Sequence, residues 1–258
     1  AYSLSEPESG SDASNMHTYA KKDGDHYIIN GTKNWVTNGI NSDIVILFCM
    51  TEKGVGYKGI SAFVIDKSTP GLTTGKKEDK LGIRASDTCE LYFEDCKVPV
   101  KNIIGEEGEG FKIAMKALGG GRIGIAAQAL GLSRAALDAS ITYAKERKQF
   151  GKSIGEFGAI QNKIADMGTE VDAARLLIWR AAKLKDDGKK YSRESSMAKL
   201  FASTTAMKAA TDCVQIHGGY GYMQEYGVER LMRDAKITQI YEGTSEIQQL
   251  VIGRDLLK

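Results

Sequence analysis

Frameworks for disulfides and for metals are missing from this sequence. Its four cysteines, Cys49, Cys89, Cys96 and Cys213, form no CxxC pair. Neither a disulfide scaffold nor a zinc site is indicated, and a reducing compartment fits best. The three histidines, His17, His26 and His217, are too scattered for HExxH or another metal cluster. No GxSxG elbow supplies a hydrolytic serine, and no GxGxxG follows a strand, so a nicotinamide-binding Rossmann unit is unsupported. GLTTGKK at 71 to 77 has its glycines one residue too close for a phosphate loop, and neither serine nor threonine follows its lysines.

Long apolar runs are also lacking. None approaches the ~20 residues that a spanning helix needs, and no signal sequence opens the chain. Thirty-five basic against 33 acidic residues leave a net charge of +2. KKEDK, KERKQFGK and KLKDDGKK mix signs or are short, as solvated faces do, and nothing calls for nucleic acid. These features predict a soluble, intracellular protein. The opening AYSLSEP has no initiator methionine, which suggests further residues upstream.

What is present is 258 residues with 42% hydrophobic content, enough for one large or two modest domains. From Ala1 to about Ile104 the pattern is short β-branched runs between turns. HYIINGTKNWVTNG reads as two strands around Asn30-Gly31, with a second turn at Asn38-Gly39. DIVILF, ISAFVI and CELYFED add strands, predicting an antiparallel, barrel-like sheet domain. Pro99 and GEEGEG at 105 to 110 mark a boundary, giving domains at 1–105 and 106–258. Beyond it the period becomes helical. Ile160, Ile164, Met167, Val171, Ala174, Ile178 and Ala181 form one stripe. Met197, Leu200, Thr204, Met207, Thr211 and Val214 form another, and Ile123, Ala127, Leu130, Leu137, Ile141 and Ala144 precede both. Three long helices and a terminal one from about Ser245 to Leu257 predict a four-helix bundle, and an α+β protein overall.

Near the end, QIYEGTSEIQ holds two acids. Ser245 to Gln248 has the S-x-x-Q form of a capping box, which starts the last helix there and leaves Glu242 just outside it. Glu242 is then either a general base, approachable because Gly243 removes steric cover, or an acid complementing the helix dipole.

LSEPESGSD at 4 to 12, NWVT at 34 to 37, QIHGGYGYMQEYGVERLMRD at 215 to 234 and IYEGTSEIQ at 240 to 248 closely resemble signatures of the acyl-CoA dehydrogenase family. Gln215, Gly218, Gly219, Gly221, Glu225, Arg230 and Asp234 stand at expected places in the third phrase. The resemblance spans practically the whole chain and is nearest to short-chain, butyryl-type members, through GRIGIAAQALG and YEGTSEIQ.

The resemblance implies a flavoprotein of β-oxidation, a dimer of dimers located in a bacterial cytoplasm or a mitochondrial matrix. It also implies that this chain is the middle and C-terminal domains of a protein with an N-terminal helical domain. Glu242 would remove the α-proton of an acyl-CoA thioester while the β-hydrogen leaves as hydride to FAD. Its peptide N–H would bind the thioester carbonyl, stabilising the enolate-like transition state. Electrons would pass to an electron-transfer flavoprotein.

FAD contacts carried over by the resemblance are Tyr2, Leu4, Ser5, Trp35 and Thr37, with Thr244 and Glu246 beside the base. Arg147, Phe150, Gln215, Gly218 and Gly219 would reach the FAD of a neighbouring subunit. Ser11, Arg122 and Gly243 would meet the CoA thioester. From the residues alone, Trp35 reads more readily as a core aromatic, and capping is reason enough for Thr244. Ser11 could be a turn serine, Arg122 and Arg147 solvated charges, and the glycines a helix terminator.

Departures from the pattern are Gly119 for a short-chain aspartate, Gly158 where a glutamine often faces flavin, and Ser3 for a small apolar residue. Isovaleryl-type members carry their base on the helix turn of Gly121, so Glu242 has no competitor there. Other activities compatible with these motifs are an oxidase passing electrons to oxygen, or a non-catalytic oligomeric fragment.

Overall fold

The computed structural model describes residues 1–258. The chain divides into two compact units, Ala1–Lys80 with Arg84–Ala117, and Leu81–Ile83 with Leu118–Lys258. No helix is long and apolar enough to cross a membrane.

In the first unit β1 (Tyr2–Ser3), β2 (Tyr19–Asp23), β3 (His26–Thr37), β4 (Ile44–Met50), β5 (Ile60–Asp66), β6 (Leu72–Thr74) and β7 (Thr88–Pro99) form one sheet. Its order is β1-β4-β2-β3-β7-β6, with β5 paired to β4. The sheet is a half-barrel and is mixed rather than purely antiparallel, because β4 runs parallel to both β1 and β2. Strand alternation sends Tyr27, Ile29, Leu47, Phe63, Ile65, Leu91, Phe93 and Val98 into one core.

Asn30-Gly31 is not the expected hairpin turn. β3 passes through it as one strand, and the register against β7 shifts between Ile29 and Gly31. A Cβ on Gly31, at φ +145°, would lie 2.6 Å from the Thr18 Cα, so glycine admits the neighbouring backbone while the extra residue makes a bulge. Asn30 spends its amide on Asp95 across the sheet, donating from Nδ2 at 3.1 Å and accepting the Asp95 N–H at 2.8 Å. The actual hairpin turns at Gly24-Asp25, where Asp23 faces His26. The Asn38-Gly39 turn forms, with Asn38 at φ +60°.

The helical elements are α1 (Gly110–Glu146), α2 (Gly158–Asp186), α3 (Ser192–His217), α4 (Val228–Ile237) and α5 (Ser245–Leu256). A two-stranded ribbon, β8 (Lys148–Gln149) with β9 (Lys152–Ser153), follows α1. The boundary between the compact units falls inside α1, at 117/118. Besides the four expected helices, VERLMRDAKI forms α4, whose Asp234 accepts the Ile83 N–H at 2.6 Å while Arg233 donates to the Leu81 carbonyl.

α2 buries Met167, Val171, Ala174, Ile178 and Ala181, the stripe read from its sequence. α3 does not follow its methionine and leucine stripe. It packs against α2, α4 and α5 through Ala198, Ala202, Ala206, Ala209 and Ala210, and leaves Thr204 and Thr211 exposed. A helix with neighbours on several sides takes small residues inward, where they let backbones approach closely. On α1 the same preference buries Ala126, Ala129 and Ala136 and leaves Ala127 outside.

Candidate functional site

The helical unit buries two cations, Arg122 and Lys199, beside Glu242. α5 starts at Ser245, as its spacing predicts, and its cap is Thr244, which accepts the Ile247 N–H at 3.4 Å; the S-x-x-Q box with Ser245 as the cap does not form. Gln248, freed from a capping box, donates to the carbonyls of Glu242 at 3.2 Å and Gly243 at 2.9 Å.

Glu242 sits at φ +56°, a left-handed conformation that is uncommon outside glycine and asparagine. Its half-buried carboxylate leaves Oε2 enclosed with no hydrogen-bond partner. Burial raises its pKa above the usual carboxylate range, although Arg122 and Lys199 pull it back. The helix-dipole role belongs instead to Glu246, which is exposed in the first turn of α5 and whose pKa is lowered by its backbone and Thr244 hydrogen bonds. Gly121 on α1 lies under the Glu242 carboxylate, since a Cβ there would stand 2.4 Å from Oε2.

Two cations complete this cluster. Arg122 is only 8% exposed, which removes the solvated-charge reading; Nη1 donates to Ser196 Oγ at 3.2 Å and Nε has no partner. Lys199 is fully buried and donates to the Gly243 carbonyl at 2.8 Å. Burial first and Arg122 second push its pKa down to about 8, against the pull of Glu242 and Glu246. Sequence reasoning missed Lys199. The signal was its place on the α3 face shared with Ala198, Ala202 and Ala206, where a lysine is out of character.

A second group lines a surface cleft of about 440 Å³ formed by Arg147, Gly218, Gly219 and neighbours including Tyr143, His217 and Tyr220. Gly218 caps α3 at φ +62°, and Arg147 stacks its guanidinium 5.3 Å from the Tyr220 ring centre. His217 gives Nδ1 to the Cys213 carbonyl pairing at 2.8 Å and stacks on Tyr143, a structural use. Gln215 is exposed on the last turn of α3. Phe150, at the tip of the ribbon with φ +53°, is 92% exposed.

In the sheet unit, Trp35 is 63% exposed at φ +58°, so it is not a core aromatic. Thr37 is exposed two residues on, and Ser11 is exposed in the loop after β1. β3 fastens the segment holding Leu4 and Ser5: Lys33 Nζ donates to the Leu4 carbonyl at 2.9 Å, and the Asn34 N–H to the Ser5 carbonyl at 2.8 Å. Lys33 also pairs with Glu6 at 2.7 Å, both side chains being essentially inaccessible. Glu6 in turn accepts the N–H groups of His17 at 2.5 Å and Thr18 at 3.0 Å. Burial alone would raise the Glu6 pKa; Lys33 and these hydrogen bonds overcome it and hold it below the carboxylate range. Tyr2 lies in β1, its hydroxyl 3.4 Å from the Ala114 carbonyl.

A half-barrel sheet unit, an alanine-packed helical unit and a part-buried glutamate in front of a short helix fit the family that the sequence resembles. Residues 1–96 match the family model described as acyl-CoA dehydrogenase, middle domain, and residues 108–257 match acyl-CoA dehydrogenase, C-terminal domain. The structure of butyryl-CoA dehydrogenase from Megasphaera elsdenii superposes with a TM-score of 0.99 at 53% identity, covering 100% of this chain and 68% of that one. A chain in a structure of the electron transferring flavoprotein of Acidaminococcus fermentans gives a TM-score of 0.98 at 54% identity, covering 100% of this chain and 68% of that one. The human mitochondrial short-chain specific acyl-CoA dehydrogenase is 52% identical over 257 residues, 100% of this chain and 62% of its own length. The chain belongs to the acyl-CoA dehydrogenase family of oxidoreductases.

Proposed function

We propose that this chain carries the reaction centre of an FAD-dependent dehydrogenase that converts a short- to medium-chain acyl-CoA to its trans-2-enoyl-CoA. The observation that carries the reading is Glu242: a carboxylate raised in pKa by burial, with Oε2 unpartnered, on a segment braced by Gln248 and Lys199. An α-proton of a thioester is weakly acidic, so its removal needs a positioned, poorly solvated base. Glu242 takes that proton, and its own N–H hydrogen-bonds the thioester oxygen as negative charge grows there. Arg122 and Lys199 lower the cost of keeping Glu242 ionised before substrate arrives.

FAD, when bound, accepts the β-hydrogen with its electron pair. The side chains suit such a group. Exposed Trp35 offers a flat face and Thr37 a hydroxyl, and the resemblance adds Tyr2, Leu4, Ser5, Thr244 and Glu246 as residues that would contact it. Arg147, Phe150, Gln215, Gly218 and Gly219 would hold the FAD of a neighbouring subunit. The 92% exposure of Phe150 and the stacked Arg147 beside two exposed glycines leave these groups free to meet a neighbouring subunit; the homotetramer, a dimer of dimers, follows from the resemblance alone. Ser11, Arg122 and Gly243 would contact the acyl-CoA. In this reading residues 1–105 bind flavin and 106–258 carry the base.

The similar bacterial and human proteins named for butyryl-CoA and short-chain substrates favour a C4 optimum, in a bacterial cytoplasm or a mitochondrial matrix. The similar chain in an electron transferring flavoprotein structure favours that protein as acceptor. Anaerobic flavin bleaching with acyl-CoAs of increasing length, starting from butyryl-CoA, tests this. The expected order is fastest with butyryl-CoA, with reoxidation faster by electron-transfer flavoprotein than by oxygen. Rapid peroxide formation would favour the oxidase instead.

Gly121→Ala gives a second test. The added methyl would displace the far end of Glu242, so kcat should fall about a hundredfold, the scale on which small misplacements act, with little change in melting temperature. Unchanged turnover would show that the carboxylate does not work from this position.

A further inference from the structure

We propose that Lys199 and Gln248 are positioning residues that lock the Glu242–Gly243 turn, so that the Glu242 carboxylate and the Glu242 N–H present themselves to one thioester. The proposal rests on the reading of Glu242 as the base and goes beyond it by assigning how the base is held.

Glu242 and Gly243 have consecutive positive φ angles, +56° and +92°. A glutamate in the left-handed region persists only where its surroundings hold it there. Here two buried side chains do so from opposite elements. Gln248, on the first turns of α5, donates to both carbonyls of the turn, at 3.2 Å from Glu242 O and 2.9 Å from Gly243 O. Lys199, from the middle of α3, donates to Gly243 O at 2.8 Å. Fixing both carbonyls holds the peptide planes that follow Glu242 and Gly243, and with them the left-handed backbone path from which the Glu242 side chain and N–H project.

The target of the lysine matters. A buried ammonium that grips a nearby carboxylate holds its pKa down and blocks it as a base. Lys199 spends its hydrogen bond on a backbone oxygen instead, and Glu242 Oε2 stays without a partner. Its charge is then near enough to favour an ionised Glu242 without capturing it. Gln248 Oε1 has no partner of its own, so this buried amide is held by what its nitrogen does for the turn.

The test uses the flavin-loaded protein with an acyl-CoA bearing sulfur in place of the β-carbon. Such a thioester has acidified α-hydrogens and no β-hydrogen to lose, so exchange of its α-hydrogens with deuterated water reports proton removal alone. Lys199→Met is expected to slow exchange about a hundredfold, with flavin content unchanged and the analogue's dissociation constant raised far less than the rate falls. Gln248→Leu should act in the same direction. Wild-type exchange in both variants, with none in Glu242→Gln, would overturn the clamp and leave the base standing. Loss of flavin or of analogue affinity in proportion to the rate would mark a merely structural role and also overturn it. If Glu242→Gln exchanges at the wild-type rate, the base assignment is what fails.

Discussion

Glu242→Gln is expected to lower turnover by about 10³- to 10⁴-fold, the upper part of the range for loss of a general base, while flavin stays bound. Glutamine keeps the shape and cannot accept the α-proton, so the loss falls on kcat. The same change should raise stability at neutral pH. Burial lifts the Glu242 pKa above that of an unfolded glutamate, so folding favours its protonated form. Wild-type protein therefore gains stability as pH falls through the folded pKa and carries the cost of an ionised, desolvated carboxylate above it. Glu242→Gln removes that cost, and its melting advantage should shrink as pH is lowered. Activity of the wild type should follow the opposite course, failing on the acid side as Glu242 becomes protonated, at a pH above the ordinary glutamate range. Melting curves and pH–rate profiles on the two proteins check both limbs.

Lys33→Met is expected to cost about 3–5 kcal/mol of stability, because it leaves Glu6 as an uncompensated buried carboxylate. Both side chains are inaccessible, and the lysine also holds the Leu4 carbonyl. The affected segment carries Leu4 and Ser5, so flavin content should fall with stability. Adding Glu6→Gln should recover part of the loss, since no charge remains buried and the amide oxygen still accepts one of the His17 and Thr18 N–H groups, while the amide nitrogen leaves the other without its acceptor. Urea unfolding of the single and double variants measures this. A cost of about 1 kcal/mol or less would put the pair on the footing of a surface bridge and remove its role as the anchor of the segment.

What could be read from the chain depended on whether the signal was local. The sheet strands, the stripe of α2 and the terminal helix follow from alternation and helical spacing, which register burial directly. Asn30-Gly31 misleads because its partners, Asp95 and Thr18, lie far away in sequence; the same dipeptide that makes a hairpin turn makes a bulge when another strand claims its amide. The inward face of α3 was hidden because its small residues carry little hydrophobic weight, and Lys199 was hidden with it. Around Glu242, local pattern left base and dipole acid open. The fold separates them by giving the helix start to Thr244 and Glu246 and the enclosed position to Glu242. The bracing by Gln248 required knowing that the cap is Thr244, one residue from where an S-x-x-Q pattern puts it. Trp35 shows the reverse case: its phrase resembled a flavin contact, and the exposed, left-handed conformation removes the core alternative.

The central claim is that Glu242 begins the oxidation of an acyl thioester by this chain. Anaerobic addition of butyryl-CoA to the flavin-loaded wild-type and Glu242→Gln proteins, followed at the visible flavin absorbance, tests it most directly. Prompt bleaching of the wild type is expected, with a persistently oxidised spectrum in Glu242→Gln and flavin still bound. Equal bleaching of the two would contradict it.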